Sequence, residues 1–360
     1  MVKIAFAGVG NNASALLQGA ELARRSGDAA ITVSGCPAIG GEGVEDIVGV
    51  AAFDVDEAKV GHDLAAAILA PPNCYPRLVD VAETGVTVSP APVLDGPDTV
   101  APEDAAALSR SRTQIVEELV ASQAEVMIYG LPAGRPRAAA FYAGCALSAG
   151  VAFVNCTPES VAREPGTLAA FEAAGLPLLG DDLASHLGSS VVHRAVLQLL
   201  RDRGIVLDST FQLNVGGNAD FANLRLRPES KLATKHNALR LPEEDGDKVH
   251  VLPSAGAVKG LADRKVAFIE VAGRGWAGTP VQVEIRLGVQ DSSNAAGVIA
   301  DLVRIGGLAA RKQVGGFAGG AEFLFKAPAG NGPSSCDALA AGIAQLEAQR
   351  ALDQVHAGNA

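Results

Sequence analysis

The first 25 residues place an apolar run, two glycines and a helical pattern in direct succession. Residues 2–7 (VKIAFA) are typical of a buried parallel strand. Gly8 and Gly10 follow, and residues 13–25 carry the pattern of a helix. Gly8 permits a tight turn, and Gly10 lets the backbone approach a pyrophosphate at the helix N-terminus. A strand, a glycine loop and a helix in this order predict a Rossmann-like nucleotide-binding fold.

The glycine motif is incomplete, but an acid further along the chain supports it. Ala13 stands where a third glycine is usual, and alanine also permits close packing. Asp54, at the end of a second apolar strand, lies 44 positions after Gly10 (54 − 10), so residues 26–46 must be an insertion. Asp54 would accept the ribose hydroxyls of NAD and disfavour the 2′-phosphate of NADP. A plain strand, turn and helix with a capping aspartate is the alternative. The candidate cofactor residues from this motif are Gly8, Gly10, Asn11, Asn12 and Asp54.

Strands alternate with helices up to about residue 205, apart from a loop rich in proline and aspartate at residues 71–105. Asp56 is placed to cap a helix after the second strand. The alternation predicts an α/β fold with a doubly wound parallel sheet. Beyond residue 205, VAFIEVAG and TPVQVEIRLGVQ predict an antiparallel pair joined by the turn GRGWAG. Residues 292–312 and the C-terminal stretch return to helix.

Length and charge exclude several classes of protein. The 360 residues suggest about two domains. The net charge of −11 argues against nucleic-acid binding, which needs a basic face. We find no apolar run long enough for a transmembrane helix and no signal peptide, so no membrane partner is expected. The five cysteines are scattered and unpaired in sequence, which indicates reduced thiols in a cytoplasmic protein without structural zinc.

Lysines near the ends of predicted elements are the second group of candidates. Lys231 and Lys235 are four residues apart and would share one face of a helix. Lys265 leads into a strand directly after Asp263, and Lys326 follows the apolar segment EFLF. A solvated surface charge is the simplest reading of each lysine alone. Lys326 is the exception, because burial in its apolar surroundings would lower its pKa.

The chain resembles the myo-inositol-1-phosphate synthase family in its short actinobacterial form. The matching segments occur in the right order along nearly the whole chain: GVGNNASALLQG, VAAFDVDEAKVG, GVAFVNCTP, LLGDDLASHLGSSVVHR, QLNVGGNADFANL, ESKLATK, DRKVAF, QDSSNAAGVIADLVR and FLFKAP. The resemblance implies a Rossmann-like NAD-binding domain at residues 1–200 and a return to it at 295–360. Between them, it implies an inserted α+β catalytic and tetramerisation domain at 201–294. It also implies tightly bound, recycled NAD and a homotetramer.

The family converts glucose 6-phosphate into an inositol phosphate by internal oxidation, enolisation, aldol ring closure and reduction, without net redox change. This chemistry needs cations beside developing oxyanions and a base for C–H and O–H protons. The catalytic residues that the resemblance implies are Lys231, Lys265, Lys326, Asp263 and Asp291. The implied substrate residues are Ser185, Gly188, Ser189 and Lys235 for the phosphate, and Asn218, Asp220 and Asn223 for sugar hydroxyls. Thr157 and Asp182 match positions at the nicotinamide end.

The sequence departs from the family where substrate shape would be read. GVGNN replaces the family's GVGNC, and NCTPESVA, with Glu159 and Ser160, replaces NALPVFIA. His186 replaces a usual glutamine in the implied phosphate loop, and LPSAGAVKGLADRK replaces another family stretch. These changes leave fructose 6-phosphate as an alternative substrate, which the same mechanism would close into a cyclopentane cyclitol phosphate. A non-catalytic NAD-binding sensor and a dehydrogenase that releases NADH are the other hypotheses. Any requirement for a monovalent or divalent cation is open.

Overall fold

The largest sheet of the protein is parallel and six-stranded. The computed structural model describes residues 1–26, 31–95, 105–226, 238–239, 242–330 and 335–349. The strands of this sheet are β1 (Val2–Ala7), β2 (Ile47–Asp54), β3 (Ser89–Pro90), β4 (Val126–Tyr129), β5 (Ala152–Asn155) and β6 (Leu178–Leu179). They are arranged in the order β3-β2-β1-β4-β5-β6. The order reverses between β1 and β4, and ligands of such sheets bind at the carboxyl ends beside that point. The predicted doubly wound parallel sheet is confirmed.

Helices cover both faces of this sheet. The α-helices of the described residues are α1 (Asn11–Ser26), α2 (Leu64–Ala67), α3 (Ala105–Ala121), α4 (Pro136–Ala149), α5 (Pro165–Ala173), α6 (Ser189–Asp202), α7 (Ala219–Leu226), α8 (Asp291–Arg311) and α9 (Cys336–Ala348). The core on one face is built from β1, α1 and α8, and the core on the other from α3 and α4. Alanine, valine, leucine and isoleucine make up most of both cores, as the low aromatic content requires.

A second sheet follows, with four strands. Its strands are β7 (Val206–Gly216), β8 (Val249–Ala257), β9 (Arg264–Arg274) and β10 (Pro280–Gln290), in the order β10-β9-β7-β8. β9 and β10 form the predicted antiparallel pair in continuous register. One face of this sheet packs against α6, with Leu197 and Leu200 of the helix against Ile269 and Val271 of β9. The chain then passes from β10 directly into α8, which returns to the first sheet.

Two details differ from the sequence prediction. Asp56 does not cap a helix, because residues 57–62 form turns, and its Oδ1 accepts a hydrogen bond of 2.9 Å from the Ala58 N–H. The following helix, α2, is instead capped by Asp63, which accepts from the Ala65 N–H at 2.8 Å. β8 was not predicted, and it pairs parallel to β7. Within the described part of the chain, every helix is too short or too polar to cross a membrane.

Candidate active site

A cavity of about 440 Å³ lies at the carboxyl ends of β1 and β4 and reaches the second sheet. Most of the predicted site residues line it: Gly8, Gly10, Asn11, Asn12, Asp54, Thr157, Asp182, Ser185, Gly188, Ser189, Asn218, Asp220, Lys265, Asp291 and Lys326. Asp263 and Asn223 lie behind its wall. Lys231 and Lys235 lie outside the described residues. The fold therefore brings residues from both sheets to one place.

The glycine loop has the geometry that a dinucleotide needs. Gly8 has a φ of +95°, and a Cβ there would lie 3.0 Å from Leu131 Cδ2. A Cβ on Gly10 would meet no atom within 4 Å, so the backbone is open to the cavity at that point. The first turn of α1 begins at Asn11, which directs its N–H groups to the same place. These features fit the pyrophosphate of NAD.

The glycine loop is held in place by residues 73–75, a segment that the sequence did not point to. Asn11 Oδ1 accepts hydrogen bonds from the N–H groups of Cys74 and Tyr75 at 2.7 and 2.9 Å. Asn73 Nδ2 donates to the Val9 carbonyl at 3.0 Å. The Asn11 side chain thus joins the loop at residues 73–75 to the glycine loop. Nothing in the spacing of these residues along the chain indicates this contact.

Asp54 lies in the cavity wall, with most of its hydrogen-bonding capacity used by the backbone. Oδ2 accepts from the Val9 N–H at 2.7 Å, and Oδ1 accepts from Val55 and Asp56 at 2.8 and 3.0 Å. Lys59 Nζ is 3.6 Å from Oδ2 and is also buried. A carboxylate has about four acceptor sites, so Asp54 can still accept from a ribose hydroxyl. Its first structural effect is to fix the glycine loop.

Besides Lys59 and Asp54, two further lysine–carboxylate pairs among the described residues line the cavity. Lys326 Nζ donates to Asp182 Oδ1 at 2.7 Å, and the Lys326 N–H donates to the Asp182 carbonyl at the same distance. The Asp182 N–H donates to the carbonyl of Thr157 at 2.8 Å. Lys265 Nζ donates to Asp291 Oδ1 at 3.1 Å. A carboxylate partner stabilises the charged ammonium, so Lys326 does not sit in the purely apolar surroundings that its sequence suggested.

Asp263 is a buried residue behind this site, 1% exposed. Its carboxylate accepts from the Ser292 hydroxyl at 2.6 Å and from the Ser292 N–H at 3.0 Å, so it caps the start of α8. The pKa of Asp263 is raised above its usual value, chiefly because the group is buried and also because the Asp291 charge is nearby. The Ser292 hydrogen bonds oppose this shift. Asn218 Nδ2 lies 3.5 Å from Asp263 and 3.4 Å from Asp291. Asp263 is therefore placed to position Asp291 and Asn218.

The loop at residues 185–188 is fastened to α8 by one side chain. Asn294 Oδ1 accepts from the Leu187 N–H, and its Nδ2 donates to the Leu187 carbonyl, both at 2.8 Å. The His186 N–H donates to the Asn294 carbonyl at 2.9 Å, and His186 is one of the residues that line the cavity. Asn294 was not predicted as a site residue.

Two further polar residues support the cavity wall from behind. Asn223 Nδ2 donates to the Ala133 carbonyl at 2.7 Å. Glu159 accepts from the N–H groups of Gly134 and Arg135 at 2.6 and 3.2 Å. Neither side chain lines the cavity. Either residue can therefore influence which substrate binds only by positioning the loop at residues 130–135. In the described ranges, no group of three or more His, Cys, Asp and Glu side chains could hold a metal ion.

Comparison with known proteins assigns the family. Residues 188–292 match the family model for myo-inositol-1-phosphate synthase. The chain is 41% identical over 344 residues to an inositol-3-phosphate synthase of Mycolicibacterium smegmatis, with 91% of this chain and 93% of the relative covered. The chain belongs to the myo-inositol-1-phosphate synthase family. The resemblance inferred from the sequence motifs is confirmed.

Solved structures agree with this family assignment. The crystal structure of Ari2 is 49% identical, with a TM-score of 0.84, and covers 96% of this chain and 98% of that one. A myo-inositol-1-phosphate synthase-related protein from Thermotoga maritima has a TM-score of 0.73 at 23% identity, covering 92% of this chain and 94% of that one. At that identity, the likeness shows the shared fold. This chain therefore shares its overall fold with both of these proteins.

Proposed function

We propose that the protein is an NAD-dependent carbocyclase that converts glucose 6-phosphate into inositol 1-phosphate. The observation that carries the proposal is the position of the pairs Lys326–Asp182 and Lys265–Asp291. Both face the cavity that the glycine loop also lines. A dinucleotide site and paired lysines in one cavity fit a reaction that removes a hydride and also stabilises oxyanions.

The residues around the glycine loop fit NAD. Gly8, Gly10 and the start of α1 would hold its pyrophosphate, Asp54 its ribose, and Thr157 and Asp182 would lie at its nicotinamide end. When bound there, NAD would supply the hydride exchange, as a hydride acceptor for C5 of the sugar and a hydride donor for the ring ketone. The substrate and product are isomers, so the hydride lost at C5 equals the hydride regained by the ring ketone.

The lysine pairs would handle the protons and the negative charge. Oxidation at C5 requires loss of the hydroxyl proton, and formation of the enolate requires loss of a proton from C6. A lysine hydrogen-bonded to a carboxylate can hold such a proton close to the oxygen that later takes it back. The ammonium groups of Lys326 and Lys265 would stabilise the enolate oxygen and the oxygen of the C1 aldehyde during ring closure. Asp182 and Asp291 orient these ammonium groups through the observed hydrogen bonds.

Fructose 6-phosphate is the second candidate substrate, because His186 lines the cavity in the loop that would hold the phosphate. With the carbonyl at C2, attack by C6 closes a ring of five carbons rather than six. The chemical steps and the lysine contacts would be unchanged. Only the shape of the pocket around the sugar differs between the two reactions.

One experiment separates these functions. The purified protein is incubated with glucose 6-phosphate or fructose 6-phosphate and a catalytic amount of NAD, and the dephosphorylated products are identified by mass and NMR. A six-membered inositol from glucose 6-phosphate supports the first function, and a cyclopentane polyol from fructose 6-phosphate supports the second. Release of one NADH per product would contradict both and indicate a net dehydrogenase. NAD binding without product from either sugar would favour the sensor.

A further inference from the structure

One side of helix α8 carries a stripe of residues that contacts two separate segments of the chain. The stripe consists of residues three or four positions apart, which share a helix face: Asn294, Gly297, Asp301 and Arg304. Its first residue fastens the loop at residues 185–188. Its last two residues hold residues 31–37, called here the inserted segment, which belong to the insertion between α1 and β2. The helix therefore sets the position of the inserted segment relative to the loop.

A buried ion pair attaches the inserted segment to α8. Arg304 Nη2 donates to Asp301 Oδ1 at 2.8 Å, and both side chains are fully buried. The Asp301 carboxylate accepts from the N–H and the hydroxyl of Ser34 at 2.8 and 2.6 Å. Arg304 Nη1 donates to the carbonyls of Cys36 and Pro37 at 3.2 and 3.3 Å. Because a buried charge without its partners is costly, these bonds fix the inserted segment on the helix.

Gly297 is the place where the inserted segment and the loop at residues 185–188 come together. A Cβ on Gly297 would lie 3.0 Å from the Ile31 carbonyl oxygen and 3.3 Å from His186 Nδ1. It would also lie 4.0 Å from the Cα of Thr32. The missing side chain thus lets the His186 imidazole and the backbone of the inserted segment pack against the helix at one position. A side chain there would push at least one of them away.

The position of His186 bears on which sugar fits the cavity, because His186 is one of the residues that line it. Glucose 6-phosphate and fructose 6-phosphate are isomers that differ in the carbon that carries the carbonyl. The lysine pairs would act on either sugar in the same way, so discrimination has to come from the shape of the cavity wall. Small differences in pocket shape typically give about 10- to 200-fold discrimination.

We propose that Gly297 and the inserted segment select the hexose 6-phosphate by fixing His186 against α8. His186 is the specificity-determining residue, and Gly297 and Ser34 are positioning residues that act through it. We take the class of ligand from the proposed function, on which this inference rests. The inference goes further because it names the part of the chain that chooses between two substrates of the same chemistry.

Two glycine-to-alanine changes in the same helix provide the test. G297A places a methyl group against His186 and the inserted segment. In the matched control G306A, the new Cβ would meet its nearest atom, Val126 Cγ2, at 3.5 Å, which is an ordinary contact. For the NAD-saturated wild type, for both variants and for H186A, kcat/KM is measured with glucose 6-phosphate and with fructose 6-phosphate. Melting temperatures are measured in parallel.

We expect the ratio of the two kcat/KM values to fall about tenfold towards equality in G297A and in H186A, and to stay at the wild-type value in G306A. The loss should appear mainly in the KM of the better substrate, because the groups that carry out the chemistry are untouched. The double variant G297A/H186A should have the ratio of H186A alone, since residues that act through one another are not additive. If G297A does not fold, H186A still tests the selecting residue.

A second measurement does not depend on catalysis. Ser34 is bonded to Asp301 and not to the loop at residues 185–188, yet S34A should loosen that loop through the inserted segment. We expect amide hydrogen exchange of residues 185–188, followed by mass spectrometry, to be about fivefold faster in S34A, the effect of one lost hydrogen bond. S148A, which removes a serine hydroxyl bonded within α4, is the control and should exchange like the wild type.

The outcomes separate this inference from the proposed function. A wild type that converts one hexose phosphate, with an unchanged ratio in G297A and H186A, would overturn the inference alone. A wild type that converts both sugars equally well, or wild-type exchange in S34A, would overturn it as well. Conversion of neither sugar by the wild type would refute the proposed function together with the inference.

Discussion

At the scale of single residues, Lys326 connects the proposed site of hydride transfer with the proposed site of oxyanion stabilisation. Its ammonium is bonded to Asp182, and Asp182 is joined through its backbone to Thr157 at the predicted nicotinamide end. We predict that Lys326→Met lowers kcat by at least about 10²-fold, because an oxyanion would lose its donor. NAD affinity and the melting temperature should change little. Steady-state kinetics and a NAD titration test this prediction.

Lys259→Met, which changes an exposed lysine away from the cavity, is the control for Lys326→Met and should retain wild-type kcat. A Lys326→Met variant with more than about a tenth of the wild-type rate would place this lysine outside the reacting centre. A lost rate accompanied by lost NAD binding would indicate a structural effect instead.

Asp54 has two functions that a substitution can separate. Its carboxylate accepts from the Val9 N–H and is also predicted to meet the ribose of NAD. Asp54→Ala should weaken NAD binding by roughly tenfold, the effect of about 1.4 kcal/mol from lost hydrogen bonds. It should also raise the affinity for NADP relative to NAD, because the repulsion of the 2′-phosphate is gone. Unchanged NAD affinity in titration calorimetry would contradict the assignment.

At the scale of elements, the contact between α6 and β7 should make stability depend on pH. Burial lowers the pKa of His193 from 6.5 to about 4, against a raising effect of the Gln212 hydrogen bond. The folded state therefore favours neutral His193. Its contribution is fully present above pH 6.5 and is lost as the pH falls towards about 4, since the unfolded chain takes up the proton first.

We predict that the wild type loses on the order of 3 kcal/mol more of its unfolding free energy than His193→Gln between these pH values. Urea unfolding at a series of pH values measures this difference. His250→Gln, on an exposed position of β8, should keep the wild-type slope. Parallel stability curves of His193→Gln and the wild type would show that His193 does not titrate in this way.

Local patterns in the sequence predicted most elements, but they did not predict contacts between distant segments. The Val2–Ala7 strand, the glycine loop and the β9–β10 pair follow from periodicity and turn residues. β8 was missed because its partner, β7, is separated from it by more than 30 residues (249 − 216 = 33), and because Pro253 and Gly256 weaken its pattern. Ser189 and Ser190 are adjacent and identical, so the sequence cannot tell which of them faces the second sheet. The packing of α6 on β7 shows that it is Ser189, whose hydroxyl is bonded to Asn214.

At the scale of the whole molecule, one face of the second sheet carries exposed apolar side chains in the described part of the chain. α6 packs on one side of this sheet, while the opposite side carries Phe268, which is 42% exposed, and Leu252, which is 49% exposed. Trp276, in the β9–β10 turn, is 92% exposed. Phe268 and Leu252 are both paired with Leu213 of β7, so these two apolar side chains share one surface, and such a surface marks an interaction site. We propose that this face is buried between copies of the chain in the homotetramer that the family resemblance implies.

Phe268→Arg should therefore break the assembly, because four buried guanidinium groups without partners would be costly at the interface. We expect light scattering after size exclusion to show a tetramer for the wild type and a smaller species for Phe268→Arg. Leu199→Arg, which changes an exposed leucine of α6, is the control and should remain tetrameric. A monomeric wild type, or a tetrameric Phe268→Arg, would exclude this face as the interface. The active site is lined within one chain by residues of both sheets. NAD binding should therefore survive dissociation if the variant remains folded.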